Sequence, residues 1–159
     1  MRIVVAVPAP FRAGHSEAVS ATCAVAGVRA VIRMHLAHWG LQSLTEDALL
    51  VVTELLANAV RHGKPSWSVC MWLMPQPQQG GRRYVRLEVA DAGAGTDIGL
   101  LRARWRHPSS SLTEGGRGLL IVDALASSWG NDRTSHGHTV WAELEVKPES
   151  PGGGPAPSR

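Results

Sequence analysis

Apolar residues in the first third of the chain recur at steps of three and four, the spacing of one helix face. Between residues 19 and 39 they fall at Val25, Val28, Ile32, Leu36 and Trp39. This spacing predicts an amphipathic helix that ends at Gly40. The run from Ser43 to Glu46 is typical of a capping box and predicts the start of a second helix. That helix should reach about residue 62, because Gly63 follows as a stop.

After the helices, the period of the apolar positions changes to two. Residues 66–74 are rich in valine, tryptophan and methionine, and residues 84–90 alternate between apolar and polar. The polar turn at 75–81 would join them as a β-hairpin. A helix is predicted at 118–126 and a last alternating strand at 139–146. Helices followed by antiparallel strands with one inserted helix predict an α+β sandwich.

The same pattern divides the chain into one domain and two ends of different character. Residues 1–16 combine a short apolar stretch with two prolines, and predict a loosely attached arm or an edge strand. Residues 17–147 hold the periodic segments and form the domain. Residues 148–159 are rich in proline and glycine and are expected to be disordered. Residues 96–114 have no clean period, which is typical of a functional lid or of disorder.

Composition narrows the class of protein. The chain has 159 residues, 44% of them apolar, which suits one globular domain. Its net charge of +3 comes from scattered arginines interleaved with acidic residues, so direct nucleic-acid binding is not expected. A membrane protein is not expected either, since no apolar run approaches the roughly 20 residues of a spanning helix and no signal peptide is evident. Cys23 and Cys70 lack CxxC spacing, which favours a reducing compartment and a cytoplasmic protein.

Two polar residues interrupt the second predicted helix. Its apolar positions are Ala48, Leu49, Val51, Val52, Leu55, Leu56, Ala59 and Val60, so the helix should be largely buried. Glu54 and Asn58 lie four residues apart, which places them on one face with Cβ atoms about 5–6 Å apart. A buried carboxylate needs a cation, a donor or water beside it. The pair therefore indicates either a polar site or the solvent-facing side of the helix.

A second candidate site follows the strand at 84–90. Asp91 ends the strand, and Gly93 and Gly95 would let a backbone come close to a ligand. The carboxylate of Asp91 could accept a hydrogen bond from an exocyclic amine, although an ordinary Asp-Gly turn has the same sequence. Neither lysine stands in a Walker A context, and the glycine spacing does not match a dinucleotide-binding fingerprint.

A third candidate site opens the helix predicted at 118–126. Glycines at 115, 116 and 118 lead directly into its apolar residues. Free backbone N–H groups and the positive end of the helix dipole would meet there, which suits a phosphate. The alternative is a flexible turn that enters a helix.

The three candidate sites follow one another in a recognisable order. They are Glu54-x-x-x-Asn58, Asp91-x-Gly93-x-Gly95 and Gly116-x-Gly118-Leu119, and a strand with Thr139 comes last. In this order they resemble the N, G1 and G2 boxes of the GHKL (Bergerat-fold) ATP-binding family, also called histidine kinase-like ATPases. Segments 51–63, 116–122 and 137–144 look like the small anti-sigma-factor serine/threonine kinase branch.

The resemblance covers about residues 19–146 and implies a fold. That fold is a two-layer α+β sandwich, in which helices cover one face of a mixed, mostly antiparallel sheet. The nucleotide would lie between the helices and the sheet, under a mobile lid at 96–116.

At the phosphate end, the resemblance implies that Asn58 ligates Mg²⁺ bridging the phosphates of ATP and that Glu54 is the general base. The phosphates would be wrapped by the G2 box, residues Gly116, Arg117, Gly118 and Leu119. Arg117 could touch a phosphate or stand exposed on the lid. A hard cation such as Mg²⁺ prefers the oxygen ligands that an asparagine offers.

At the adenine end, the resemblance implies that Asp91 receives the amino group of the base, directly and through a water. Thr139 would help to hold that water. Gly93 and Gly95 would permit close approach of the base.

The implied function is that of an ATP-binding regulatory protein. It would bind a sigma factor and transfer the γ-phosphate of ATP to a serine or threonine of an antagonist protein, leaving ADP. The alternative is a nucleotide-gated binding module without phosphotransfer. Retention of both Glu54 and Asn58 favours the kinase, because a mere binder could lose Glu54 without harm. The oligomeric state is left open, a homodimer included.

The seven histidines do not predict a metal site. The pairs His35/His38 and His136/His138 have no cysteine or carboxylate at ligand spacing, so surface or packing roles are expected for them. The six tryptophans are expected in the core and at interfaces rather than in a stacking platform.

Overall fold

The computed structural model describes residues 2–5, 17–62, 67–75, 82–93, 117–134 and 137–147. The helices in these ranges are α1 (Glu17–His38), α2 (Thr45–His62) and α3 (Arg117–Leu125), with a short 3₁₀ helix at Gln42–Leu44. The strands are β1 (Arg2–Val5), β2 (Trp67–Pro75), β3 (Arg83–Asp91), β4 (Ser128–Thr134) and β5 (Gly137–Val146). No helix within the described ranges is long and apolar enough to cross a membrane.

The five strands form one sheet in the order β1-β2-β3-β5-β4. All pairings between the described strands are antiparallel, so the parallel pairing that a mixed sheet implies is not among them. The hairpin of β2 and β3 pairs Trp67 with Asp91 at one end and Pro75 with Arg83 at the other. The α+β sandwich predicted from the sequence is confirmed, with helices packed on the sheet.

The core lies between α1, α2, α3 and one face of the sheet, which we call the inner face. Alternate residues of β3 and β5 point into it, and the buried apolar ones on these strands are Val85, Leu87, Val89, Val140, Ala142 and Leu144. On α2 the apolar positions predicted to be buried are buried, except Val60, which is 51% exposed. Each large side chain fully buried here contributes roughly 1.5–3 kcal/mol to folding.

The end of α1 agrees with the sequence prediction, whereas the start of α2 differs from it. Gly40 adopts a φ of 70° and follows α1, as expected for a glycine stop. Ser43 lies inside the 3₁₀ helix and α2 begins at Thr45, so the predicted capping box does not form the start of α2. Leu44 is buried there, which indicates that apolar packing anchors this entry.

Two edge strands complete the sheet. Residues 2–5 form β1 beside β2, so of the two alternatives for the start of the chain these residues adopt the edge strand. Strand β4 is not predicted from the sequence, because Gly130, Asn131 and Asp132 are poor strand formers. It forms by pairing with β5 over its whole length, from Ser128 to Thr134.

Several predictions fall on residues outside the described ranges. These are the lid at 96–116, the tail at 148–159, the helix stop at Gly63 and most of the turn at 75–81.

Candidate functional site

Helices α2 and α3 bring the first and third candidate boxes together. Glu54 and Asn58 are half-buried and lie one turn apart on α2. The carboxylate of Glu54 lies directly against Gly118, so close that a Cβ at residue 118 would overlap its Oε2 atom. Only glycine therefore accommodates Glu54 in this position without a shift of one partner.

The carboxylate of Glu54 lies beside the start of α3. Gly118 belongs to the first turn of α3, where free N–H groups and the helix dipole give a partial positive charge. An anionic phosphate would be stabilised by these groups. Glu54 and a phosphate would thus share one electropositive helix end.

A hydrogen-bond network holds α2 to α1 one residue before Glu54. The Nη1 atom of Arg29 donates to Thr53 Oγ1 at 2.8 Å, and this hydroxyl donates to the carbonyl of Leu49 at 2.6 Å. Arg29 Nη1 also reaches the Leu49 carbonyl at 3.4 Å. Because the network spans both helices, it restrains the turn of α2 that carries Glu54.

The second candidate box lies at the end of β3. The side chain of Asp91 is only 5% exposed and points to the inner face of the sheet. Its Oδ1 atom accepts the backbone N–H of Gly93 at 2.7 Å. This bond closes an Asx turn and fixes one oxygen of the carboxylate.

His138 faces the other oxygen of Asp91. The two residues are directly paired across β3 and β5, and His138 Nδ1 lies 3.7 Å from Asp91 Oδ2. The histidine side chain is 1% exposed, and its Nε2 atom lies 3.0 Å from Asn131 Nδ2 on β4. The sequence alone predicts a surface or packing role for His138, because no cysteine or carboxylate stands at ligand spacing from it. The carboxylate comes from another strand.

Thr139 does not share this position. It pairs with Ala90, and successive residues of a strand point to opposite faces, so Thr139 lies on the outer face while Asp91 and His138 lie on the inner face. The structure therefore does not bring Thr139 to Asp91. The alternation His138, Val140, Ala142, Leu144 is a signal that could have placed His138 on the core side.

Gly137 explains how β5 starts so close to Asp91. Its φ of 151° lies in a region that side chains rarely adopt, and a Cβ there would overlap the backbone oxygen of Asp91. A glycine at this position lets the two strand ends touch, and the next residue is His138.

The remaining predicted residues are only partly described. Gly95 and Gly116 lie outside the described ranges, and of Arg117 only its place at the start of α3 is described. Leu119 is 3% exposed and packs in the core, so a phosphate would meet its backbone rather than its side chain. No group of three or more histidines, cysteines and acidic residues is close enough to hold a metal within the described part of the chain.

Comparison with known proteins gives one family. Residues 19–144 match the sequence profile described as the histidine kinase-like ATPase domain. No curated protein matches the sequence. Among solved structures, the histidine kinase domain of the blue-light activated histidine kinase from Erythrobacter litoralis EL346 is similar, with 17% identity and a TM-score of 0.41. That match covers 79% of this chain and 61% of the kinase chain.

Proposed function

The chain belongs to the histidine kinase-like ATPase family, and from this premise we propose that it is a kinase that binds ATP and Mg²⁺ and phosphorylates a partner protein. The acceptor would be a serine or threonine hydroxyl of an antagonist protein, and the regulated target a sigma factor. The single observation that carries the proposal is the meeting of Glu54 with Gly118 at the start of α3. This contact supports a general base that lies beside the helix end at which phosphate would bind.

Glu54 would take the proton of the acceptor hydroxyl. The hydroxyl oxygen then bonds to the γ-phosphorus while the bond from that phosphorus to the β,γ-bridging oxygen breaks, and ADP leaves with the bond's electron pair. The N–H groups of the first turn of α3 would stabilise the charge on the phosphates. General-base assistance of this kind is worth about 10²- to 10⁴-fold in rate.

Asn58 fits the cation that the family uses. Its half-buried carboxamide offers an oxygen ligand one turn from Glu54, and Mg²⁺ prefers oxygen ligands and keeps several waters. When bound, Mg²⁺ would neutralise negative charge on the phosphates. Asn58 would thus bind the cation, and Glu54 would accept the proton.

Asp91 would select the base. One oxygen is already occupied by the N–H of Gly93, and the carboxylate keeps further acceptor positions for the amino group of adenine. A hydrogen bond to a charged acceptor is worth about 10- to 100-fold in affinity. The Asp91→Asn variant should therefore lose about that much affinity for ATP.

The second candidate function is a nucleotide-gated binding module without phosphotransfer. Such a module needs Asp91 and the start of α3 but not a carboxylate at residue 54. The half-buried Glu54, placed at the helix end where phosphate would bind, favours the kinase.

The test compares Glu54→Gln with Glu46→Gln, an exposed glutamate in the first turn of the same helix. Calorimetry with ATP and Mg²⁺ measures binding, and transfer of labelled γ-phosphate to candidate antagonist proteins measures chemistry. Glu54→Gln should bind ATP like the parent and transfer phosphate about 10²- to 10⁴-fold more slowly. Glu46→Gln should match the parent in both measurements.

Two results would contradict the proposal in different ways. If the parent protein binds ATP but never transfers phosphate, the binding module is the better description. If the parent binds no nucleotide in the presence of Mg²⁺, both functions are wrong.

A further inference from the structure

A buried histidine stands behind the proposed adenine acceptor. His138 is almost fully enclosed on the inner face, in line with Val140, Ala142 and Leu144 of its own strand. A polar ring in such a place costs free energy unless its nitrogens have partners. Both nitrogens face polar side chains, Asn131 on β4 and Asp91 on β3.

The partner on β4 favours one of the two tautomers of the ring. Asn131 Nδ2 faces His138 Nε2 at 3.0 Å. A carboxamide nitrogen can only donate, so Nε2 accepts. A neutral ring whose Nε2 accepts has its proton on Nδ1, and this is the atom that faces Asp91.

The Nδ1–H group then restrains the carboxylate of Asp91 from one side. The 3.7 Å between Nδ1 and Asp91 Oδ2 exceeds a hydrogen bond, but an N–H dipole beside an enclosed carboxylate still attracts it at that distance. The other oxygen, Oδ1, is held by the Gly93 N–H at 2.7 Å. A hydrogen bond at Oδ1 and a longer electrostatic contact at Oδ2 together favour one orientation of the carboxylate plane.

We propose that His138 is a positioning residue for nucleotide recognition: polarised by Asn131, it orients Asp91 toward the exocyclic amine of a 6-aminopurine. This inference rests on the proposed function and deepens it, because it assigns base selectivity to three residues on three strands. A carboxylate held as a pure acceptor suits the 6-amino group of adenine. It disfavours guanine, whose 6-oxo group is itself an acceptor.

The experiment measures binding of ATP and of purine riboside triphosphate, which lacks the 6-amino group, by calorimetry with Mg²⁺. His138→Leu removes the donor and keeps an apolar side chain, and His138→Asn returns an N–H near the place of Nδ1. The matched control is His35→Leu, which makes the same replacement at a half-buried histidine on α1.

We expect His138→Leu to weaken ATP binding by roughly 3- to 10-fold and binding of the deamino analogue by less than about 2-fold. His138→Asn should recover most of the loss, and His35→Leu should show none. In an Asp91→Asn background, His138→Leu should have little further effect, since it acts through Asp91. Thermal unfolding of each variant separates a folding defect from a selective one.

A second measurement is independent of nucleotide. The ¹⁵N chemical shifts of the His138 ring should report the neutral tautomer protonated on Nδ1. Asn131→Leu should weaken the preference for a proton on Nδ1, because it removes the donor that faces Nε2.

The outcomes separate this inference from the proposed function. If the parent binds neither nucleotide, the proposed function fails. If Asp91→Asn abolishes the preference for ATP over the deamino analogue while His138→Leu leaves that preference intact, the inference alone fails. Equal losses for both nucleotides in His138→Leu, or a ring protonated on Nε2 in the parent, would also overturn it.

Discussion

The two faces of the sheet differ in the side chains that they bury. On the inner face, apolar side chains such as Leu87 and Val89 are fully covered by the helices, and the enclosed polar exception on β3 and β5 is the pair Asp91 and His138. On the outer face, the alternating residues of β3 and β5 are half-buried and many are charged.

The outer face is organised around Arg86. Its guanidinium donates to Glu88 at 2.7 Å and to Glu143 at 2.9 Å, and it stacks over the ring of Trp141 at 4.1 Å from the centroid. Burial lowers the pKa of Arg86, but the hydrogen bonds and charges of Glu88 and Glu143 outweigh it and raise the pKa above its usual value. The charged groups of this network therefore satisfy one another on their own face of the sheet.

The difference separates the groups that supply stability from those of the proposed nucleotide site. Apolar burial on the inner face contributes the larger free energy, whereas partly exposed charge pairs contribute little each. The polar pair on the inner face is enclosed at both residues, so its orientation is restrained, as the proposed recognition of adenine requires. Substitutions on the two faces should therefore differ in how much they change the free energy of unfolding.

The largest effect on stability is expected from Leu87→Ala on the inner face. Removal of a fully buried leucine should lower the free energy of unfolding by about 2–5 kcal/mol. Its neighbour on the outer face, Glu88→Ala, should cost less than about 1 kcal/mol, because Arg86 keeps Glu143. Urea unfolding measures both, and similar losses for the two variants would contradict the comparison.

Gly130→Ala should cause the next largest loss of stability. The indole of Trp141 covers Gly130, and a Cβ there would lie 2.7 Å from Cζ2 of the ring. Displacement of the ring should cost about 1–3 kcal/mol. Gly27→Ala on α1 is the matched control: its Cβ would meet nothing within 4 Å, so a gain of about 0.5–1 kcal/mol is expected there. Loss of stability in both variants would argue against a specific contact at Trp141.

Arg86→Met should have a smaller effect, about 1 kcal/mol, since the charge pairs are partly exposed. The cost should shrink in about 1 M salt, where charge pairs are screened. A raised pKa means that the stabilisation is fully present at every pH below the ordinary value of arginine and is lost only as the pH rises through the raised value. The difference in free energy of unfolding between Arg86→Met and the parent should therefore stay constant across neutral pH. A difference that is independent of salt would assign the effect to packing on Trp141 instead.

The smallest effect on stability is expected from Gly118→Ala. The atom that a Cβ would meet is the end of the flexible Glu54 side chain, which can rotate away, so the free energy of unfolding should change by less than about 1 kcal/mol in either direction. The proposed phosphotransfer should nevertheless fall, because Glu54 is displaced from the helix end. A variant that transfers phosphate at the parent rate would show that this contact is not needed for catalysis.

The sequence by itself determined the helices, the hairpin and most of the core. These features depend on local periodicity, and the apolar positions of α1, α2 and β3 repeat with the period of the element they form. The order of the three boxes also identified the family, because it depends only on spacing along the chain. The exposure of Val60 and the failure of the capping box at Ser43 are local exceptions that packing decided.

Only the tertiary structure decided which residues meet. Strand β4 is too polar to be recognised alone and exists because β5 lies beside it. Asp91 and His138 are far apart in the printed sequence, and the register of β3 and β5 sets them side by side. A shift of one residue in that register would place Thr139 opposite Asp91 and turn it to the other face, since side chains alternate along a strand. Register is a property of two paired strands, and neither strand's own sequence contains it.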